Sequence, residues 1–314
     1  MNNFTTIKSA LAITCISFSS CFPMFSGNMV GGGNGDAITP SGDVIEKSYS
    51  INDVVNKTQL KNGTLIITQV DAEEQEALII KAHENIMPLL EPSLNRDCLL
   101  LGLNGNDRIN GNPIIQYHLK VKSLNSIQIS ESGVIRFDTN FEVPSLCLAM
   151  SGNGNLQVKG LVVSDLSIQI SGNGRVSIGT LTCDVLSEQI SGNGSISFQG
   201  GIAKKQKIKI SGNGSISSSQ LGGGTCSISI SGNGSATVNI DDELYVTASS
   251  EDCVTNYGKA TMEYEPIISN QGNVFVSVNG RQVVSQSISN VHSSGSVRIV
   301  MNGSSVTYNG KRIS

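Results

Sequence analysis

The tetrapeptide Ser-Gly-Asn-Gly occurs five times in this chain at a constant spacing of 20 residues, beginning at Ser151, Ser171, Ser191, Ser211 and Ser231. Aliphatic residues recur at the same spacing, and the position just before each corner is always Met or Ile. Polar residues alternate with them, as in the Ser-Ile-Gln-Ile sequence of residues 167–170. A period of two predicts strands with one buried face, and a fixed longer period predicts a repeat architecture.

The repeat predicts the fold class. One unit contains a strand, a corner, a second strand and a return, and it could not bury its apolar face alone, whereas stacked units would share one core. We therefore predict an all-β protein, a single-stranded parallel β-helix with coils of about 20 residues, right-handed as parallel crossovers usually are. The composition agrees, because aromatic residues make up only 4% of the 314 residues and small or β-branched side chains must fill the core.

The Ser-Gly-Asn-Gly corners are expected to be structural. Their glycines should adopt positive φ and let one coil approach the next, and their asparagines should stack in a hydrogen-bonded ladder. A phosphate loop would need a following helix, and calcium-binding β-roll repeats need Asp in a nine-residue period, so neither fits. The predicted corner residues are Gly152, Gly154, Gly172, Gly174, Gly192, Gly194, Gly212, Gly214, Gly232 and Gly234, with Asn153, Asn173, Asn193, Asn213 and Asn233.

One residue interrupts the aliphatic columns. Glu188 occupies the column that contains Ile168, Ile208 and Ile228. Because burying an unpaired carboxylate is costly, we expect a local register shift here rather than an inward carboxylate. A catalytic glutamate is the alternative.

The N-terminus has the pattern of an export signal. Residues 1–21 contain one positive charge followed by a short run of apolar and small residues, too brief to span a membrane. The Phe-Ser-Ser-Cys sequence ending at Cys21 resembles a bacterial lipoprotein cleavage site, which makes Cys21 the candidate lipidated residue. Ordinary cleavage near Ser26 is the alternative.

The rest of the chain divides by composition. Asn-Gly pairs after the repeats predict hairpins between alternating strands, which would form either a cap over the open end of the β-helix or irregular terminal coils. The predicted segments are a signal peptide at 1–21, a Gly-rich linker at 22–41, the β-helix at 42–265 and the hairpin cap or terminal coils at 266–314.

Cofactor and nucleic-acid sites are not expected. The three histidines, His83, His118 and His292, are far apart in sequence, and the seven cysteines match neither a zinc site nor a redox motif. We therefore predict no metal and no cofactor. The formal net charge of −4 gives no basic footprint, so we expect no nucleic-acid partner.

The chain resembles a known family over roughly residues 42–262. The resemblance lies in the His-Glu-Asn-Ile segment that begins at His83, in the repeated Ile-Ser-Gly-Asn-Gly corners, and in the Thr-Asn-Tyr-Gly-Lys-Ala sequence of residues 255–260. These features are similar to the head GIN domain of autotransporter adhesins. The resemblance implies a secreted or surface-associated bacterial β-helix protein, and it implies no catalytic residues.

The sequence favours a non-enzymatic binding or structural role. A face rich in Ser and Asn could bind glycans or other host or cell-surface components, and a lipid at Cys21 would provide the membrane contact. We expect export to the outer membrane and cell surface or to the periplasm, with the oligomeric state open.

A carbohydrate-active enzyme, either a polysaccharide lyase or a hydrolase, is the alternative function, because many parallel β-helices carry out that chemistry along one face. Such a site needs clustered acidic and basic groups. The candidate charges are Lys204, Lys205, Lys207 and Lys209, with Asp241, Asp242 and Glu243 two coils later. We interpret them as solvated charges that block edge pairing.

Overall fold

The computed structural model describes residues 37–103 and 108–266, together with the strand backbones between residues 274 and 312. The predicted signal peptide, Cys21 and most of the predicted linker lie outside the described residues. Their assignments remain predictions.

The described part of the chain consists mainly of β-strands joined by bends, with 3₁₀ turns at Met87–Leu89 and Glu251–Cys253. Residues 126–248 form seven consecutive strands, most of them much longer than those before and after. The strands are β1 (Val44–Ser50), β2 (Lys57–Gln69), β3 (Ala77–His83), β4 (Ser93–Asn95), β5 (Cys98–Leu101), β6 (Ile115–Val121), β7 (Ser126–Glu142), β8 (Ser145–Met150), β9 (Asn155–Ile170), β10 (Arg175–Ile190), β11 (Ser195–Ile210), β12 (Ser215–Ile230), β13 (Ser235–Ala248), β14 (Val254–Asn256), β15 (Met262–Pro266), β16 (Val274–Val278), β17 (Arg281–Gln286), β18 (Ile299–Asn302), β19 (Ser305–Tyr308) and β20 (Lys311–Arg312).

Strands β9 to β13 stack in sequence order as parallel neighbours, each one coil above the last. From β9 to β12, each residue in the ladder pairs with the residue 20 positions further along the sequence. Val176, for example, lies between Leu156 and Ile196. The chain forms a parallel β-solenoid of about seven turns with coils about 20 residues apart, and the predicted fold class is confirmed.

Each coil folds into three short sheets that enclose the core. In β10 the ladder pairing omits Gly179 and Asp184, which divides the strand into three paired segments. We call the stacks that contain residues 175–178, 180–183 and 185–190 the post-corner, middle and pre-corner sheets. The Ser-Gly-Asn-Gly corner joins the pre-corner sheet of one coil to the post-corner sheet of the next.

The core consists of the stacked aliphatic columns that the repeat predicts. The column just before the corners contains Ile170, Ile190, Ile210 and Ile230, all buried. Burying one such side chain stabilises the fold by about 1.5–3 kcal/mol, so the summed columns supply the main favourable term. Ser218 is a polar member of another column, and its buried hydroxyl donates to the carbonyl of Thr237 at 2.8 Å.

The N-terminal end of the solenoid carries antiparallel strands. Strand β6 pairs in parallel with β2 and antiparallel with β3, and β3 pairs antiparallel with β1. Strand β1 is largely exposed and bears Glu46, which forms an ion pair with Lys81 at 3.2 Å. A charged, exposed strand at this position discourages pairing with another chain.

The C-terminal strands are antiparallel hairpins. Strand β16 pairs with β17, and β18, β19 and β20 form a second antiparallel sheet. In the sequence, Asn-Gly pairs beginning at Asn279, Asn302 and Asn309 occur where one of these strands ends and its antiparallel partner follows, which is the pattern that predicts tight hairpin connections. A capping role for these hairpins remains a prediction. None of the helices in the described residues has the length and apolar character that a membrane crossing requires.

Candidate functional site: the stacked corners and the outer sheets

The corner asparagines form a ladder along one edge of the solenoid. The Nδ2 of Asn173 donates to the Oδ1 of Asn153 at 3.0 Å, Asn193 donates to Asn173 at 2.9 Å, and Asn213 donates to Asn193 at 3.0 Å. Among the described residues the ladder stops there, and Asn233 adds no further bond of this kind. Each bond joins residues one coil apart, so the ladder links neighbouring coils through exposed side chains.

The corner glycines serve close approach and do not adopt positive φ. The expectation of positive φ was wrong, because the described glycines in that region are Gly42, Gly63, Gly102, Gly111 and Gly201, all outside the corners. The reason lies in the backbone bonds between coils.

The close approach is clearest in the middle of the stack. The N–H of Asn193 donates to the carbonyl of Gly172 at 3.1 Å, which places that carbonyl directly against Gly192. A Cβ on Gly192 would overlap this oxygen. A Cβ on Gly194 would lie 2.6 Å from Cγ2 of Ile170. Glycine is therefore required by the space between coils.

Hydroxyl groups line the outside of the corners and of the post-corner sheet. The corner serines are exposed, and Ser191 and Ser211 donate no side-chain hydrogen bond within the described residues. We call this surface the hydroxyl face. Its three columns are Ser171, Ser191, Ser211 and Ser231; Ser195, Ser215 and Ser235; and Ser177, Ser197, Ser217 and Thr237.

The spacing of the hydroxyl face is set by the backbone. Neighbouring coils lie about 4.8 Å apart, and alternate residues along a strand lie about 6.5–7 Å apart. Close contacts between glycines hold the corners in place, so the hydroxyls form a rigid two-dimensional array. Such an array can make many weak hydrogen bonds to a polar partner with little loss of side-chain entropy on binding.

Glu188 points into the core, and the expected register shift does not occur. Its neighbours in the ladder are Ile168 and Ile208, with the pairing unbroken on either side. The side chain is fully buried, and neither carboxyl oxygen has a hydrogen-bond partner. Burial raises the pKa of this carboxyl to about 8. The group is therefore a neutral acid at neutral pH, and it lies away from any surface where a substrate could reach it.

The predicted basic patch divides into two parts. Lys204 forms an ion pair with Asp184, with Nζ and Oδ1 2.7 Å apart. Lys205, Lys207 and Lys209 alternate along β11 and point outward from the pre-corner sheet. Strand β11 is paired on both sides, so these lysines do not protect an edge, and that interpretation was wrong.

A groove of about 930 Å³ is lined by residues of β9 and β10 and by residues from β2, β7 and the segments that follow those two strands. Its lining includes Val143 and Cys183. The carboxylates of Asp71, Glu142 and Asp184 line it. The sequence repeat does not indicate this groove, because the lining combines regular coils with earlier segments that do not share the repeat.

No metal site was found among the described residues, where no group of three His, Cys, Asp or Glu side chains could hold an ion. The Nδ1 of His83 lies 3.4 Å from the carbonyl oxygen of Gly42. Cys183 and Cys226 are buried free thiols in the core columns.

Comparisons with known proteins agree with this architecture. A crystal structure described as a putative adhesin from Parabacteroides distasonis ATCC 8503 has a TM-score of 0.67 and 20% sequence identity, covering 74% of this chain and 97% of that one. A putative adhesin from Parabacteroides merdae ATCC 43184 has a TM-score of 0.58 and 20% identity, covering 73% and 99%.

A third structure, described as a putative lipid binding protein from Parabacteroides distasonis ATCC 8503, has a TM-score of 0.61 and 16% identity, covering 73% of this chain and 99% of that one. At these identities the likeness shows the fold alone. No curated protein matches the chain.

The family model matches the solenoid itself, in two overlapping segments at residues 57–179 and 161–260. Together these segments span well over half of the chain and contain all five Ser-Gly-Asn-Gly corners. The chain therefore belongs to the family described as "Putative auto-transporter adhesin, head GIN domain".

Proposed function

We propose that this protein is an exported cell-envelope or surface protein that binds glycans or other polar cell-surface components without catalysis, through its hydroxyl face. The observation that carries the proposal is the rigid array of serine hydroxyls and corner amides, repeated coil after coil. The family description and the adhesin descriptions of the similar structures support the same role.

The physical basis of binding is multivalency. A single neutral hydrogen bond contributes only about 0.5–1.5 kcal/mol, because it replaces a bond to water. A polymer that contacts several coils at once gains from each contact, and the later contacts are effectively intramolecular. The partner should therefore be an extended polar polymer, and its affinity should grow with the number of coils it spans.

Location can be tested in cells that produce the full chain. Protease is added to intact and to ruptured cells, and the N-terminal peptide is examined by mass spectrometry for a diacylated Cys21. Degradation on intact cells supports surface display. Protection until rupture would place the solenoid in the periplasm and contradict surface adhesion.

Binding can be tested on glycan arrays with matched serine variants. The variant Ser195→Ala/Ser215→Ala/Ser235→Ala removes one column of the hydroxyl face, and we expect about tenfold or greater loss of apparent affinity from three lost hydrogen bonds. The control removes the pre-corner hydroxyls of Ser187 and Ser227, which should leave binding unchanged. Equal loss in both variants would contradict a role for the hydroxyl face.

The alternative, a carbohydrate-active enzyme, is favoured by one observation, the three carboxylates that line the groove. Asp184 is already paired with Lys204, which leaves Asp71 and Glu142 as the candidate acid and base. Release of reducing ends or unsaturated products from polysaccharides by the wild-type chain, lost in Glu142→Gln, would favour this alternative over adhesion.

A further inference from the structure

The groove is continuous with a column of exposed aliphatic side chains. Val162 and Thr182 line the groove, and Ile202 follows them in the same ladder column, one coil further along the solenoid. We call these three residues the apolar strip. Val162 is 44% exposed and Ile202 is 59% exposed. A single exposed aliphatic residue is ordinary, but a column of them beside a groove is typical of a binding surface.

The acidic part of the groove lies at one end of the apolar strip. Glu142 pairs with Val162, so it precedes the strip in the same column. Asp71 follows β2, which pairs with β7 on the side opposite to β9. Both acidic residues are exposed, whereas the third carboxylate, Asp184, is already paired with Lys204. None of the described residues that line the groove is Lys, Arg or His, so its uncompensated charge is negative.

Hydrogen bonds fix the segment that carries Glu142. The side-chain amide of Gln69 donates to the carbonyl of Glu142 at 2.9 Å and accepts from its N–H at 2.8 Å. The N–H of Val143 donates to the carbonyl of Val162 at 3.1 Å. These bonds tie the segment to coils on both sides and do not use the carboxylate of Glu142. A groove formed in advance pays little ordering cost when a partner binds.

The chemistry of the lining narrows the class of partner. In the described part of the chain, these carboxylates do not come together in a group that could hold a metal ion. The described lining contains no aromatic side chain, so it offers no ring on which a sugar could stack. A polyanion would be repelled by the carboxylates. A partner with positive charge at one end and aliphatic groups at the other satisfies both parts of the surface.

We propose that the groove and the apolar strip bind an extended basic segment of another polypeptide. Glu142 and Ile202 are three ladder steps apart, which is about 14 Å at the usual strand spacing. Four residues of extended chain cover about 13–14 Å. A Lys or Arg over Glu142 therefore places the side chains two and four residues away along the apolar strip. The aliphatic stem of such a cation packs on apolar groups while its charged end reaches a carboxylate.

The test is fluorescence anisotropy of a labelled peptide titrated with the full chain. The peptide Lys-Ser-Lys-Ser-Ile-Ser-Ile presents its basic and aliphatic side chains on one face in the required order. The control peptide, Lys-Ile-Lys-Ile-Ser-Ser-Ser, has the same composition but places them on opposite faces. We expect the first peptide to bind with a Kd of about 100 µM or tighter, and the control to bind about tenfold more weakly. Binding should weaken as salt rises, because exposed charges are screened.

Variants of the full chain separate the two parts of the site. Asp71→Asn/Glu142→Gln should weaken binding at least about tenfold and melt like the wild type, because the hydrogen bonds of this segment use its backbone. Ile202→Ser should weaken binding about threefold or more. The matched control, Asp242→Asn/Glu243→Gln, removes the same charge from exposed positions outside the groove lining and should leave binding unchanged.

The site is separate from the hydroxyl face, so Ser195→Ala/Ser215→Ala/Ser235→Ala should bind the peptide like the wild type. The proposal is overturned if the peptide shows no saturable binding up to about 1 mM. It is also overturned if the groove variant binds like its matched control, or if the two peptides bind equally. Tighter binding of a glucosamine oligomer with free amines, lost in the groove variant, would overturn it by assigning the groove to a cationic glycan.

Discussion

Burial of Glu188 should make the solenoid less stable as pH rises. Burial raises the pKa of this carboxyl from its ordinary 4.5 to about 8, so the folded chain keeps the proton where the unfolded chain releases it. The charged side chains of the next coil, including Lys207, point outward and give no compensation. Below about pH 4.5 the carboxyl is protonated in both states and ionisation costs the fold nothing. The free energy of unfolding then falls as the pH rises to about 8. At about 1.4 kcal/mol per pH unit, the total loss is roughly 5 kcal/mol.

The assay is chemical unfolding followed by circular dichroism from pH 5 to pH 8. Other carboxyl groups add their own slope, so the comparison is with Glu188→Gln, which keeps the size of the side chain and cannot titrate. The wild type should lose about 1.4 kcal/mol per pH unit more than this variant. Glu188→Ile matches Ile168 and Ile208 in the same column, and at pH 7 it should be roughly 3–5 kcal/mol more stable than the wild type.

Equal pH slopes for the wild type and Glu188→Gln would refute the reasoning. That result would mean that the carboxyl is ionised in the folded chain and is solvated by water or by a rearranged partner. A less stable Glu188→Ile would refute it as well, because it would show that the carboxyl makes a net favourable contact.

Three further predictions concern the corners and the core. Asn193→Leu removes two ladder bonds and should destabilise the solenoid by roughly 1–2 kcal/mol in thermal or chemical unfolding. The control, Asn233→Leu, should have little effect. Equal melting temperatures for the two variants would contradict a stabilising role for the ladder. Gly194→Val should cost at least about 1 kcal/mol through its contact with the coil below, whereas Gly200→Ala, where an added Cβ meets nothing within 4 Å, serves as the control. Burial raises the pKa of the Cys183 thiol to about 11. This thiol should therefore react with a disulfide reagent at about pH 8 only after the chain unfolds. Rapid labelling of Cys183 in the native chain would contradict the core packing.

The regular coils could be predicted from the sequence, because each structural constraint is repeated. The columns through Val176 and Ile190 show which residues are inward, and five equal corners fix the coil length. The expectation of positive φ was wrong at every one of these corners. Glycine at a corner is compatible both with positive φ and with close approach, and the sequence alone does not distinguish the two causes.

The remaining features depend on contacts that no repeat records. The coil that ends β13 is shorter, so that Thr225 pairs with Glu243 at 18 residues. A 20-residue alignment therefore misplaces the last segment of β13. The inward position of Glu188 was misjudged because the aliphatic packing of Ile168 and Ile208 outweighs the cost of one buried, neutral carboxyl.

The stacking of coils determines how this molecule would respond to mechanical tension. The backbone hydrogen bonds between coils, such as that from Asn193 N–H to the Gly172 carbonyl, run along the solenoid axis. A pull along this axis loads every junction between coils in series, so the weakest junction opens first. Among the junctions of the long strands β9 to β13, the β12–β13 junction is the candidate, because two register shifts interrupt it. Each coil that opens would release about 65–70 Å of extended chain, so the molecule would lengthen in steps under force instead of breaking at once.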